Sequence, residues 1–364
     1  VPYPAQKYKS RSFSDLSRMK LLASLFLGII LSACSHSFPK PLEPAFYCWE
    51  TVFQPDTAEL AILDSLACKT LYVKILDIGK NASTGAIEPY ARLELRDTAT
   101  WRSHTIIPCI FITNEVFTGI SREKMQWLAG KIATVARDFA PFNEFQVDCD
   151  WTGTTREAYF HFLGLLRKQL PKGTTLSATI RLHQYKFPEK TGVPPVDRGM
   201  LMFYNTGDVD QDAERNSIFH PKDALKYLDG APSGYALPLD LALPLFSWAQ
   251  VFREGELWKI IPGPLPLTDM QTSGKYREHS TLEPFPARLW EVVEGTFLGG
   301  HYLRPGDRLR VSAIPEALLM ESATLARRLD LADDARLAFF HLGITPEEHF
   351  SAQQLDLVCK TVRN

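Results

Sequence analysis

Short apolar runs rich in β-branched and aromatic residues recur along this chain, each followed by a segment with helical apolar spacing. Residues 46–53 (FYCWETVF) predict a first strand, and 57–68 (TAELAILDSLAC) a helix after it. Further strands are predicted at 70–78 (TLYVKILDI), 106–117 (IIPCIFITNEVF), 145–151 (FQVDCDW) and 175–182 (TLSATIRL). Three more follow at 199–205 (GMLMFYN), 239–248 (LDLALPLFSW) and 336–342 (RLAFFHL). Helices fall between them: one opened by Ser121 and running to about Phe139, one over 155–170 stopped by Pro171, one near 223–228, and a last one over 346–362.

Eight strands separated by helices predict parallel pairing, since each parallel crossover needs an intervening helix. Near-continuous apolar strands fit a sheet covered on both faces. No glycine-rich phosphate loop follows the first strand, which argues against an open dinucleotide-binding sheet. The expected fold is therefore an α/β (β/α)8 TIM barrel over 44–364. Residues 251–334 are too many for one crossover, so they are expected to form an extended insertion between strands 7 and 8, lying over the barrel mouth. Gly306–Val311 is a candidate extra strand pair there, and a helix is expected around 315–329.

The N-terminal pattern changes the picture. Arg18, Met19 and Lys20 precede an apolar run at 21–31 (LLASLFLGIIL), too short for a comfortable membrane span. Leu31-Ser32-Ala33-Cys34 closes it and resembles a bacterial lipobox, in which the cysteine is lipidated and becomes the mature N-terminus. On this reading 1–18 are a gene-model extension, 19–33 a signal peptide, and 34–43 a tether from lipidated Cys34. The expected location is the bacterial cell envelope, with membrane contact through the lipid anchor only. Roughly 330 residues then remain, a length α/β barrels reach as one domain. Hydrophobic residues at 45% supply an ample core, and a net charge of −2 gives no bulk attraction to nucleic acid. Cys48, Cys68, Cys109, Cys149 and Cys359 lack metal-type spacing, so no metal site and no cofactor are expected. Cys68 and Cys359 end up on neighbouring helices if a barrel closes, open to a disulfide in an oxidising compartment.

Functional groups of such barrels gather at the C-terminal ends of the strands. Asp148 and Asp150, two apart on the fourth strand, would face the interior together, about 6 to 7 Å apart. Such a pair either raises one pKa for acid–base work or is held by backbone and hydroxyl hydrogen bonds as structure. Glu50, Asp77 and Glu115 are further carboxylates expected near the mouth. Asp240 precedes its apolar run and is expected at the barrel bottom as a structural group. Trp49, Trp151, Tyr204 and Trp248 lie near strand ends, where each can offer a flat face to a sugar ring or simply pack. Packing is favoured for Trp49 and ring contact for Trp248. Arg181 and His183 at the end of the fifth strand are possible hydrogen-bonding partners of a ligand.

FQVDCDW at 145–151 resembles the fourth strand of family 18 glycoside hydrolases, the chitinase group, with its D-x-D-x-E core. Met202-Phe203-Tyr204-Asn205 resembles that family's sixth-strand M-x-Y-D, and Leu243-Pro244-Leu245-Phe246-Ser247-Trp248 its seventh-strand G-x-P-x-Y. The whole pattern, with a Tyr-x-Trp first strand and a D-x-D strand, also resembles the bacterial family of domain of unknown function 3142. The resemblance implies a glycoside-hydrolase-like barrel that hydrolyses or binds a polysaccharide or glycan. It implies Asp148 and Asp150 as catalytic carboxylates, with Tyr204, Asn205, Trp248 and Trp151 against the substrate. Two departures stand out: Thr152 occupies the position of the acid glutamate, and Asn205 that of the sixth-strand aspartate. The substrate-assisted chitinase mechanism is therefore not expected intact. Either another carboxylate, Glu50 first among them, supplies the acid, or the protein is a non-catalytic carbohydrate-binding or scaffold lipoprotein.

Overall fold

Beyond Pro2, the computed structural model describes residues 42–363 except 212–213, 233, 264, 281–283 and 344–349. The expected leader, Cys34 and nearly all of the tether lie outside the described residues.

Eight parallel strands close into a barrel. They are β1 (Glu43–Cys48), β2 (Thr70–Lys80), β3 (Thr105–Ile112), β4 (Glu144–Asp148), β5 (Thr175–Arg181), β6 (Arg198–Met202), β7 (Leu239–Pro244) and β8 (Arg336–Phe340). Neighbours in this order pair in parallel. Closure is explicit, because Glu43–Phe46 of β1 pair with Arg336–Phe339 of β8. Among the described residues each strand is followed by a helix: α1 (Thr57–Ser65), α2 (Thr98–Ser103), α3 (Arg122–Arg137), α4 (Arg156–Arg167), α5 (Leu182–Lys186), α6 (Pro221–Leu228), α7 (Glu316–Ala326) and α8 (Ala352–Arg363), with short helical turns at Pro188–Thr191 and Leu267–Thr272 besides. Their starts follow local chemistry. Asp56 caps α1 in a reciprocal box with Glu59, and Ser121 accepts from the Lys124 amide to open α3. The (β/α)8 barrel expected from the sequence is the observed fold.

The boundaries differ in an informative way. β1 starts at Glu43, just after the buried Leu42, and stops at Cys48 rather than running to Phe53. β4 stops at Asp148, β6 at Met202, β7 at Pro244 and β8 at Phe340. Every predicted strand here was extended across residues that actually form the barrel rim. Residues 114–117, read as strand, form a 3-10 turn that leaves Glu115 exposed. A strand the pattern did not announce, Ile87–Arg92, pairs antiparallel with the end of β2.

The insertion lies between β7 and α7. Its five antiparallel strands run in the order Glu256–Pro262, Trp248–Arg253, Arg308–Ser312, Arg288–Val292, Tyr276–His279. It therefore begins at Trp248, three residues before the expected boundary. It has its own core, including Val251, Trp290, Val292 and Leu309. The helix expected near 315–329 is α7, which packs against β7, α6 and α8 and so belongs to the barrel.

The barrel bottom is closed by charge. Asp240, 1% exposed, accepts from Arg336 at 2.8 Å and Arg198 at 3.2 Å, and Arg336 also holds Glu144 at 2.7 Å. Asp240 is thus structural, as its position before the apolar run implied. All five described cysteines are free and buried, Cys68 and Cys359 included. Burial, then Asp356, then Cys68 push the Cys359 thiol up to about 12, and no disulfide joins Cys359 to Cys68.

Candidate functional site

A cavity of about 370 Å³ opens at the C-terminal mouth, within the roughly 300–1,000 Å³ range of small-molecule sites. Trp49 and Glu50 reach it from just past β1, Phe111 from β3 and Asp148 from the last position of β4. Met202, Tyr204 and Asn205 come from the end of β6, and Phe340 and His341 from that of β8. The segment just past β7 supplies Phe246 and Ser247, and the insertion supplies Trp248, Pro262 and Gly263.

The floor is aromatic. Phe340 lies 5.4 Å from Trp49, 5.6 Å from Tyr204 and 5.6 Å from Phe246 between ring centroids. Trp248 meets Phe246 edge-on at 5.3 Å, and its Nε1 donates to Ser217 Oγ at 2.9 Å. That bond fixes the indole plane while leaving Trp248 only partly buried. Two buried polar atoms beside this floor, Tyr204 Oη and Asn205 Oδ1, have no hydrogen-bond partner among the described residues. Other buried side-chain atoms, Tyr159 Oη and Trp290 Nε1 among them, are in the same position, and water or a ligand can complete any of them. Asn205 sits in the left-handed region (φ 54°), which asparagine tolerates better than most residues, and this turns the chain off β6 at the rim.

Asp148 is the chemically distinctive group. It is buried and accepts from Thr179 Oγ1 at 2.6 Å. Burial, then the Asp150 charge, push its carboxyl up to about 6, against the Thr179 hydrogen bond and the Arg181 charge. Its native pKa lies above the ordinary value of about 3.9. The native state therefore binds this proton more tightly than the unfolded chain does. The resulting stabilisation is fully present below about pH 4 and is lost as pH rises through about 6. The gap corresponds to about 3 kcal/mol. We expect Asp148→Asn to gain about 2–3 kcal/mol of stability relative to the parent on going from pH 4 to pH 8. Urea unfolding at the two pH values measures this, and parallel pH dependence in both proteins would refute it.

Asp150 does not share the cavity. Because β4 ends at Asp148, the strand alternation that would have aimed both carboxylates inward stops before it. Asp150 instead pairs with Arg181 at the rim and keeps 39% of its side chain exposed. Trp151, expected against substrate, is buried under the rim. It stacks on Tyr159 of α4 at 5.3 Å, and its Nε1 donates to the Thr191 carbonyl at 3.0 Å. Glu50 is exposed at the cavity edge. Asp77 is buried and paired with Lys74 at 2.8 Å, and Lys74 lies 5.2 Å over the Trp49 ring. Trp49, read as packing, does pack on Tyr47 and Phe340, and it also lines the cavity. Thr152 is spent on the turn before α4, its amide donating to Thr155 Oγ1 and its hydroxyl meeting Thr154.

The structure thus brings together Asp148, Tyr204, Asn205, Trp248 and Glu50, and sets Asp150 and Trp151 apart. Sequence reasoning missed Phe246 and Phe340, which sat inside apolar runs and read as core. The signal that could have found Phe340 was its place at the C-terminal end of the eighth strand. Among the described residues no group of three His, Cys, Asp or Glu side chains is arranged to hold a metal ion.

The fold is shared with solved chitinase barrels. The chain is similar to chitinase RmChi1 from Rhizomucor miehei, at 11% identity and TM-score 0.51 over 87% of this chain and 99% of that one. It is also similar to the C-terminal domain of a chitinase candidate from Desulfitobacterium hafniense DCB-2, at 10% identity and TM-score 0.52 over 89% and 100%. No family model matches the chain. No curated protein matches it either.

Proposed function

We propose that the protein is an envelope lipoprotein, anchored through Cys34, whose barrel mouth binds a glycan. The observation that carries the binding reading is the pairing of an aromatic floor with two buried, unpartnered polar atoms, on Tyr204 and Asn205. A sugar ring offers an apolar face for Trp248 and Phe340, and its hydroxyls can reach the orphaned oxygens once the side chains covering them shift.

Hydrolysis is the second reading, and Asp148 favours it. A carboxyl with its pKa near 6 stays partly protonated in mildly acidic surroundings and can donate a proton to a leaving oxygen. Thr152 cannot do this, and Asp150 is engaged by Arg181. Screening the purified protein against soluble oligosaccharides for both binding and reducing-end release separates the readings. Turnover in the parent that is lost in Asp148→Asn, with binding retained, establishes an enzyme. Binding without turnover in either protein establishes a binding protein, and no binding to any glycan refutes both. The anchor is tested by Cys34→Ala expressed in a bacterium: the variant is expected to leave the detergent phase, and its staying there would contradict lipidation at this residue.

A further inference from the structure

The charges around the mouth cavity do not balance. Glu50, Asp148 and His341 are its ionisable lining residues, and no lysine or arginine is among the described residues that line it. Two cations stand close by, and each already has a carboxylate of its own. Lys74, over the Trp49 ring, is held by Asp77 at 2.8 Å, and Arg181, at the rim, is held by Asp150. The rim pair does not offset Asp148, because there the Asp150 charge outweighs that of Arg181. A further acid stands near Glu50: burial, then the charges of Asp56 and Glu50, raise the Glu59 carboxyl. His341 Nδ1 faces the Leu342 carbonyl and so carries a proton, which makes Nε2 the acceptor of the neutral ring.

This excess of negative charge surrounds an aromatic cavity and is not a surface patch. Trp49, Phe246, Trp248 and Phe340 line the same space, and ring faces attract a cation as well as the apolar face of a sugar. Tyr204, 4% exposed, lines it with a hydroxyl that has no hydrogen-bond partner among the described residues. A ligand on that floor must also meet the two carboxylates. A uronic, sulfated or phosphorylated sugar brings like charge, with no uncommitted cation in the wall to receive it. A neutral sugar takes water away from Asp148 and Glu50 and returns no charge. A sugar bearing an ammonium group replaces that water with a charge-assisted hydrogen bond.

We propose that the ligand is a glycan whose amino sugars carry free ammonium groups, with a ring on the Trp248–Phe340 floor and its ammonium drawn to Asp148 and Glu50. This rests on the glycan reading above and names its substrate class. The test is calorimetric titration of the full protein, at about pH 7, with tetramers of N-acetylglucosamine, of glucosamine and of galacturonic acid. At that pH the Asp148 carboxyl, pushed up to about 6, is mostly ionised. The glucosamine tetramer is expected to bind roughly tenfold tighter than its N-acetylated counterpart, an advantage that shrinks as salt rises, and the galacturonic acid tetramer weakest of the three. Glu50→Gln and, separately, Asp148→Asn are each expected to cut that advantage to about threefold or less. Glu50 is exposed, so folding is expected to survive its replacement, and thermal melting verifies this for both variants. Equal or weaker binding of the glucosamine tetramer, or an advantage that both variants leave unchanged, overturns the inference while leaving sugar binding standing. No binding of any of the three tetramers overturns the inference together with the glycan reading for this chemistry.

Discussion

Asp240→Ala is expected to lower folding stability by about 3–5 kcal/mol, the range found when one partner of a buried ion pair is removed. Asp240 accepts from Arg198 and Arg336, both mostly buried side chains, and also receives the Arg336 backbone amide at 2.8 Å. Alanine would leave two guanidinium groups with one carboxylate fewer in the barrel bottom, where Glu144 already serves Arg336. Asp240→Asn keeps a hydrogen-bond acceptor but not the charge and should fall between parent and alanine. Chemical denaturation measures this as a lower midpoint at similar slope. An Asp240→Ala protein within about 0.5 kcal/mol of the parent, the usual range for surface changes, would show that the network does not hold the barrel closed.

Trp248→Ala is expected to weaken glycan binding by roughly 30-fold, the about 2 kcal/mol associated with loss of a central aromatic contact. Two effects act together. The indole face is removed from the cavity wall, and the Nε1 bond that braces the insertion against Ser217 is lost. Trp248→Phe keeps a smaller face without the donor and should bind with intermediate affinity. Titration of both variants with a glycan bound by the parent provides the comparison. Unchanged affinity in Trp248→Ala would place the ligand elsewhere.

The barrel was legible because its strands are nearly continuous apolar runs, a pattern that survives without knowledge of neighbours. Asp240 was legible for a related reason, since a lone acid before such a run must lie at the strand's start. The rim was not. Cys149-Asp150-Trp151 carries neither glycine nor proline to announce that the strand has ended, so alternation was carried three residues too far. It thereby aimed Asp150 inward, where the structure turns it to Arg181. Trp151 finds its hydrogen-bond partner at Thr191, 40 residues on, a contact no local pattern encodes. Phe340 and Phe246 are apolar in sequence and apolar in contact, and only the closure of the barrel reveals that they face a cavity.

On the proposed reading, the floor of Trp49, Phe246, Trp248 and Phe340 and the nearby polar groups of Tyr204 and Asn205 together receive a sugar. A crystal structure of the protein bound to a glycan that it retains in the screen tests this most directly. The expected result is a ring lying on Trp248, with its hydroxyls within hydrogen-bond reach of Tyr204 Oη and Asn205 Oδ1. A ring seated instead on the exposed Trp127 or Trp258, with the barrel mouth vacant, would contradict it.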